Sequence, residues 1–296
     1  MRTILDRSPE SRVLVAHDDR QAPAPHLADH RARVWIHGQK TDWGSWALVA
    51  VTLEGIRRLR EWIDPDVTIL ASGQDYVCGD LNAWHRRFVA GGGGWVGSAY
   101  PLDYAPRWGR TRGVGDDNWT RYQYRWFDVP SLSSRLPPAA RPLARRVRDA
   151  IFLRAEPLIA HRVMARAGRR LIGVRRVHPL DGRTIYKGQQ MLALDRPLSD
   201  VVLSETEGQT GLVRHYKRSV IPDESLIQTL LSWQTPPRSD MELTFIGWDE
   251  ASDGCRYLDS ADLPALLASP AILCRKVSSS TGQELCDALD REFDAG

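Results

Sequence analysis

Between residues 13 and 76 the hydrophobic pattern changes period twice. An apolar run, Val13-Leu14-Val15-Ala16, ends in the polar tip His17-Asp18-Asp19, and a second run, Val67-Thr68-Ile69-Leu70, leads straight into Ala71-Ser72-Gly73-Gln74-Asp75-Tyr76. Short continuous apolar runs of this kind are strands covered on both faces. Between them, Trp46, Val49, Leu53, Ile56, Leu59 and Ile63 recur at helical spacing, with Arg57, Arg58, Arg60 and Glu61 mostly on the other side and Ser45 placed to cap the start. Strand, helix, strand predicts an α/β fold with a mostly parallel central sheet flanked by helices. In open sheets of that kind, ligands bind where the strands end, so the polar tips are the first candidates for a site.

The chain is 296 residues long, 42% hydrophobic and 26% charged, which fits a single folded domain spanning 1–296 and argues against wholesale disorder. A net charge of +3 is too small to imply nucleic acid as a partner. Cys78, Cys255, Cys274 and Cys286 are widely spread, with no CxxC pair, so neither a zinc site nor a disulfide framework is expected. No apolar run approaches the ~20 residues needed to span a bilayer, and a cytoplasmic location is expected. The stretch from about 135 to 176 is dense in arginine and reads as a helical insertion carrying Val147, Ile151, Phe152, Leu158 and Val163. Such a basic amphipathic surface is either simply solvated or drawn to an anionic membrane or a polyanionic acceptor. Asp64-Pro65-Asp66 is formally an Asp-x-Asp motif, but it lies at the entry side of its strand and reads as a helix-stop turn.

Several short motifs occur in a telling order: His17-Asp18-Asp19, Trp43-Gly44, Ala71-Ser72-Gly73-Gln74-Asp75-Tyr76, Tyr186-Lys187-Gly188-Gln189-Gln190-Met191, Pro222-Asp223-Glu224, then Trp248, Arg256 and Arg275-Lys276. Together they resemble the core-2/I-branching N-acetylglucosaminyltransferase and peptide xylosyltransferase family over residues 13 to 277. The chain departs from that pattern at Val77-Cys78, Gln189, Met191 and Ser278. Family members ordinarily begin with one more strand and a full first helix; here Met1 falls inside that helix, so the first strand is expected to be missing.

The resemblance implies a GT-A-type glycosyltransferase fold and an inverting transfer from a UDP-sugar, with N-acetylglucosamine ahead of xylose, to a hydroxyl of a glycan or other glycoconjugate. It implies no metal and no cofactor beyond the nucleotide sugar as co-substrate. By residue match, Glu224 is the base that takes the acceptor proton. Asp223 is expected to cap the helix that opens there, which leaves Glu224 in its first turn at the positive end of the macrodipole. Acidic residues are also common at helix starts for purely local reasons. Arg256 and Lys276, with Arg275 as a nearby alternative, correspond to the cations that hold the departing diphosphate in place of a metal. Asp19 corresponds to the nucleoside contact, and Asp75 either organises the loop under the donor or only satisfies loop amides. Trp248 is the acceptor-side aromatic, while Tyr124 and Arg125, with Tyr122 and Trp126 nearby, lie where acceptor contacts are expected, although core packing explains the rings equally well. The alternative from another class is a catalytically dead glycan- or membrane-surface-binding protein.

Overall fold

The computed structural model describes residues 1–108, 116–130, 137–164, 168–234, 238, 240–249 and 254–294. Parts of the expected arginine-rich insertion (135–136 and 165–167) lie outside them. The chain begins with α1 (Arg2–Arg7), β1 (Val13–His17) and β2 (Ala32–Ile36), then α2 (Trp46–Trp62), β3 (Val67–Leu70), β4 (Asp75–Val77) and α3 (Leu81–Gly91). The strands β5 (Gly94–Trp95) and β6 (Tyr100–Pro101) lead to α4 (Asp117–Gln123) and β7 (Tyr124–Asp128). The basic region supplies α5 (Arg141–Ala155) and the strands β8 (Ile159–Met164) and β9 (Arg169–Arg175). After β10 (Tyr186–Lys187) and β11 (Leu192–Asp195) come α6 (Arg196–Thr206), α7 (Gly211–Tyr216) and α8 (Leu226–Gln234). The C-terminal part is β12 (Thr244–Ile246), β13 (Trp248–Asp249), β14 (Gly254–Cys255), α9 (Leu263–Ala268), β15 (Leu273–Arg275) and α10 (Gln283–Asp294).

The result is a mixed α/β molecule built on several small sheets. The expected strands β1 and β3 and the helix α2 are present. Ser45 occupies the N-cap position of α2 with extended backbone, but its side chain makes no capping bond. The mostly parallel central sheet is corrected: of nine ladders among the described residues, only β1–β2 and β12–β15 are parallel. The reason is β11, which pairs antiparallel with β3 on one side and β5 on the other. Leu192 and Leu194 enter one buried cluster, with Ile56 and Leu226, while Met191 and Ala193 enter another, with Trp84 and Phe88. Alternation that buries both faces makes β11 the middle layer of the molecule.

The arginine-rich insertion is helical only in part. After α5 the chain turns into β8 and β9, which extend β7 into a three-stranded antiparallel sheet, so Val163 is a strand residue and Leu158 lies in the turn before it. Phe127 and Ile172 face each other across that sheet, and β-branched and aromatic pairs of this sort favour strand over helix. Among the described residues no helix is long and apolar enough to cross a membrane.

One carboxylate joins the middle layer to its neighbours. Asp195 accepts a hydrogen bond from Leu198 N at 2.8 Å, capping α6, and a second from Gly93 N at 2.5 Å, at the turn into β5. Replacing it with alanine strands both amides and is expected to cost about 1–2 kcal/mol. Urea denaturation of Asp195→Ala checks this: the midpoint should fall with an unchanged slope, and an unmoved midpoint would show that the cap contributes nothing.

Candidate functional site

Glu224 stands at the end of a single 3-10 turn, Pro222–Glu224, that precedes α8, rather than in the first turn of the α-helix itself. The turn is launched by Ile221, whose φ of 53° and ψ of 55° are left-handed. For a β-branched residue followed by proline this conformation is costly, on the order of 1–3 kcal/mol. The surroundings hold it there. Ile221 N donates to Gly44 O at 3.1 Å, Tyr122 Oη donates to Ile221 O at 2.9 Å, and the Ile221 side chain is buried. Gly44 allows the approach because it has a φ of +69° and because a Cβ there would come within 2.9 Å of Ile221 Cγ1. The Trp43-Gly44 motif thus has a packing role, as the seat of the turn that carries Glu224.

On the other side, the turn is anchored by hydroxyls sealed in the core. Tyr216 Oη lies 2.9 Å from Ser225 Oγ and 2.8 Å from Thr229 Oγ1, and Ser225 Oγ donates to Tyr186 O at 2.6 Å. Tyr186 N in turn donates to Thr229 Oγ1 at 2.9 Å. Ser225 follows Glu224 and Lys187 follows Tyr186, so this knot sets two charged side chains beside one another. Lys187 Nζ is 3.4 Å from Glu224 Oε2, and Arg121 Nη1, reaching from α4, is 3.3 Å from the same oxygen. Glu224 remains 27% exposed, enough to meet a solute.

The charge cluster extends beyond Glu224. Asp117 takes Arg121 at 2.5 Å and Arg162 at 2.7 Å. Burial alone would raise the Asp117 pKa, but the two guanidiniums hold it below the ordinary carboxylate value. Arg162 also lies over the Trp126 ring at 5.3 Å. A cavity of about 500 Å³ opens here between α4, α5 and β8, lined by Asp117, Trp126, Arg148, Phe152, His161 and Arg162. Its position is one ion pair removed from Glu224. Neither Arg121 nor Lys187 was assigned a role from sequence. The i, i+4 pair Asp117–Arg121 was legible as a helix ion pair, but Arg121's contact with a residue 103 positions away was not.

Asp223 does not cap a helix. No side-chain capping bond is made at this turn, and Asp223 Oδ1 is shut away from solvent with no hydrogen-bond partner among the described residues. It borders a void of about 10 Å³, also lined by Gln190 and Thr52, about the space of one water. Burial first, and the neighbouring Glu224 second, push its pKa up to about 7.

The remaining candidates fall into two groups. Asp75, with 1% of its side chain exposed, accepts from Ser72 N at 2.7 Å and Ser72 Oγ at 3.1 Å and meets Arg275 Nη1 at 3.1 Å. It organises its loop and occupies Arg275; burial raises its pKa against the pull of that cation. Arg256 and Lys276 are adjacent through the backbone, with Lys276 N 3.5 Å from Arg256 O. Arg256, however, is gripped by both oxygens of Asp262, whereas Lys276 has no ion-pair partner among the described residues. Trp248 sits in β13 opposite Cys255, next to Arg256, and is 60% exposed, open to a ligand face.

Asp19 is exposed at the tip of β1, and the structured carboxylate there is Asp18, which binds Arg20 and accepts from Thr41 Oγ1 at 3.0 Å. Tyr124 is corrected: it is fully buried, edge-on to Trp119 and tilted against Trp126, with its hydroxyl donating to Glu156 O at 2.5 Å, so it cannot touch an acceptor. Tyr122 and Trp126 are core residues for the same reason. Alternation along β7 puts Arg125 on the opposite, exposed face, over Phe127. Asp64 and Asp66 are paired with Arg60 and Arg196 in the turn between α2 and β3.

The segment 187–191 joins the two groups. Lys187 touches Glu224, Gly188 N donates to Glu224 O at 2.8 Å, and Met191 Sδ lies 3.4 Å from Arg275 Nη1. Glu224 and Arg275 are thus linked through one short segment, by way of the buried Met191 side chain. The raised pKa of Asp223 makes a pH prediction. Unfolded, Asp223 loses its proton near 3.8; folded, it does so near 7. Folding therefore favours the protonated form, and this group's contribution falls as pH rises from about 4 to 7, then levels. Asp223→Asn should abolish that decline, raising stability above pH 7 by at most about 4 kcal/mol, with little effect at pH 4. Thermal melts of both proteins from pH 4 to 8 test it, and parallel curves would refute the assignment.

No protein-family model matches this sequence, and no curated protein is significantly similar to it.

Proposed function

We propose that this chain is an inverting, metal-independent glycosyltransferase of GT-A type, moving a sugar, N-acetylglucosamine before xylose, from a UDP-sugar to a hydroxyl of a glycan or other glycoconjugate. The observation that carries this reading is the seating of Glu224: a partly exposed carboxylate on a strained turn anchored from both sides. A base needs to be fixed in position yet open to its proton donor, and Glu224 meets both conditions.

In the reaction, Glu224 takes the proton of the acceptor hydroxyl as that oxygen forms its bond to the anomeric carbon. The bond from that carbon to the diphosphate oxygen breaks on the opposite face, and its electron pair leaves with UDP. Lys276 is available to the developing charge. Arg256 must first exchange Asp262 for phosphate, a modest demand, because a partly exposed ion pair is worth about 1 kcal/mol or less. Arg121 and Lys187 hold the base rather than the leaving group.

That same Arg256–Asp262 pair favours a second reading, a protein of this lineage that binds a glycan or a membrane surface without catalysis, since one of the two clamp residues is already occupied. Calorimetry with UDP separates them. Saturable uptake is expected of the transferase, and its absence would favour the binding protein. Glu224→Gln should lower transfer by about 10²–10⁴-fold while leaving UDP affinity within twofold, and a chelator should leave turnover intact. Activity lost to chelator and restored by manganese would contradict the mechanism.

A further inference from the structure

The helix α5 is amphipathic in the wrong sense for a soluble protein. Leu143, Val147 and Ile151, spaced one turn apart, are 67%, 52% and 58% exposed, and no residue of the helix is buried. Its inner side instead carries Phe152 against His161, with Arg148 and Asp149 paired at 2.7 Å along the cavity described above. A surface helix normally turns its apolar stripe to the core and its charges to water. Here a stripe about 12 Å long points outward instead.

The charge on this helix identifies what covers the stripe. Five arginines stand against one aspartate within α5, more positive charge than the whole chain carries net. Arg145, Arg146 and Arg154 are exposed and have no ion-pair partner among the described residues. A second copy docking face to face would bring like charges together. Nucleic acid would set phosphates against a strip of Leu, Val and Ile. A bilayer with anionic lipids satisfies both parts at once, because acyl chains accept the stripe and headgroup phosphates accept the guanidiniums.

We propose that the outer face of α5 docks on an anionic membrane surface, with Leu143, Val147 and Ile151 entering the acyl boundary and Arg146 and Arg154, at the side and end of the stripe, meeting lipid phosphates. The docking is independent of the chemistry at Glu224. Each arginine at such a surface strengthens partitioning roughly fivefold, so the helix alone is sufficient for measurable, salt-sensitive attachment.

Flotation of the full chain with vesicles of phosphatidylcholine alone, or with three parts in ten phosphatidylglycerol, tests the proposal. Binding to the anionic vesicles should exceed binding to the neutral ones at least tenfold. The combined Leu143→Ser, Val147→Ser, Ile151→Ser variant should lose at least tenfold of that binding. Equal binding to both vesicles, binding to neither, or undiminished binding by the variant overturns it, as does a concentration-dependent dimer of the wild type that the variant abolishes. Should the variant fail to fold, hydrogen exchange of the wild type decides: slowed exchange over 141–155 on adding anionic vesicles supports the docking, and unchanged exchange there refutes it.

Discussion

The arrangement of the candidate site rests on a knot of hydroxyls that no solvent reaches. Tyr216, Ser225 and Thr229 share hydrogen bonds with one another and with the backbone of Tyr186, and all three side chains are buried. Each hydroxyl left unpaired in that setting would cost about 1–3 kcal/mol, so the knot is made as a whole or not at all. Made as a whole, it locks α7, α8 and β10 in one register. The residues on its rim, Glu224 and Lys187, are then brought together by their places in the chain rather than by their own attraction.

Ile221 works against that order and is restrained by it. Its left-handed backbone is unfavourable by itself, yet the hydrogen bonds from its N–H to Gly44 and from Tyr122 to its carbonyl leave no relaxed alternative. The consequence is a turn that splits two adjacent acids. Asp223 is driven inward, where burial favours its neutral form, and Glu224 is left at the surface between two cations. Consecutive carboxylates in unlike surroundings are a common way for one short segment to carry both a structural and a chemical role.

The basic region adds a second design to the same molecule. Its strands complete a sheet around Trp126, while its helix touches that sheet lightly through Phe152 and keeps its leucine, valine and isoleucine outside. Between helix and strand lies the cavity that shares Asp117 with the Glu224 cluster. Anything that shifts α5 therefore acts on a space one ion pair from the candidate base.

Local pattern was enough for α2, whose apolar residues recur at helical spacing, and for β1 and β3, whose short apolar runs each stop at a polar tip. β11 escaped because Met191 to Leu194 is four apolar residues without a telling period, although Asp195 followed by Arg196-Pro197 was a readable helix start. Val163 was misplaced on a helix because composition, not pairing, was visible, and Tyr124 was read as a ligand contact because an aromatic ring looks alike in a cleft and in a core. Chain order thus determined which residue types are present and where α2, β1 and β3 lie. Only the tertiary structure decided that Asp223 is sealed and Glu224 open, that Arg256 faces Asp262, and that Arg121 reaches Glu224. Those outcomes depend on contacts between residues far apart in the chain and on the exclusion of water, and neither is encoded in any local window.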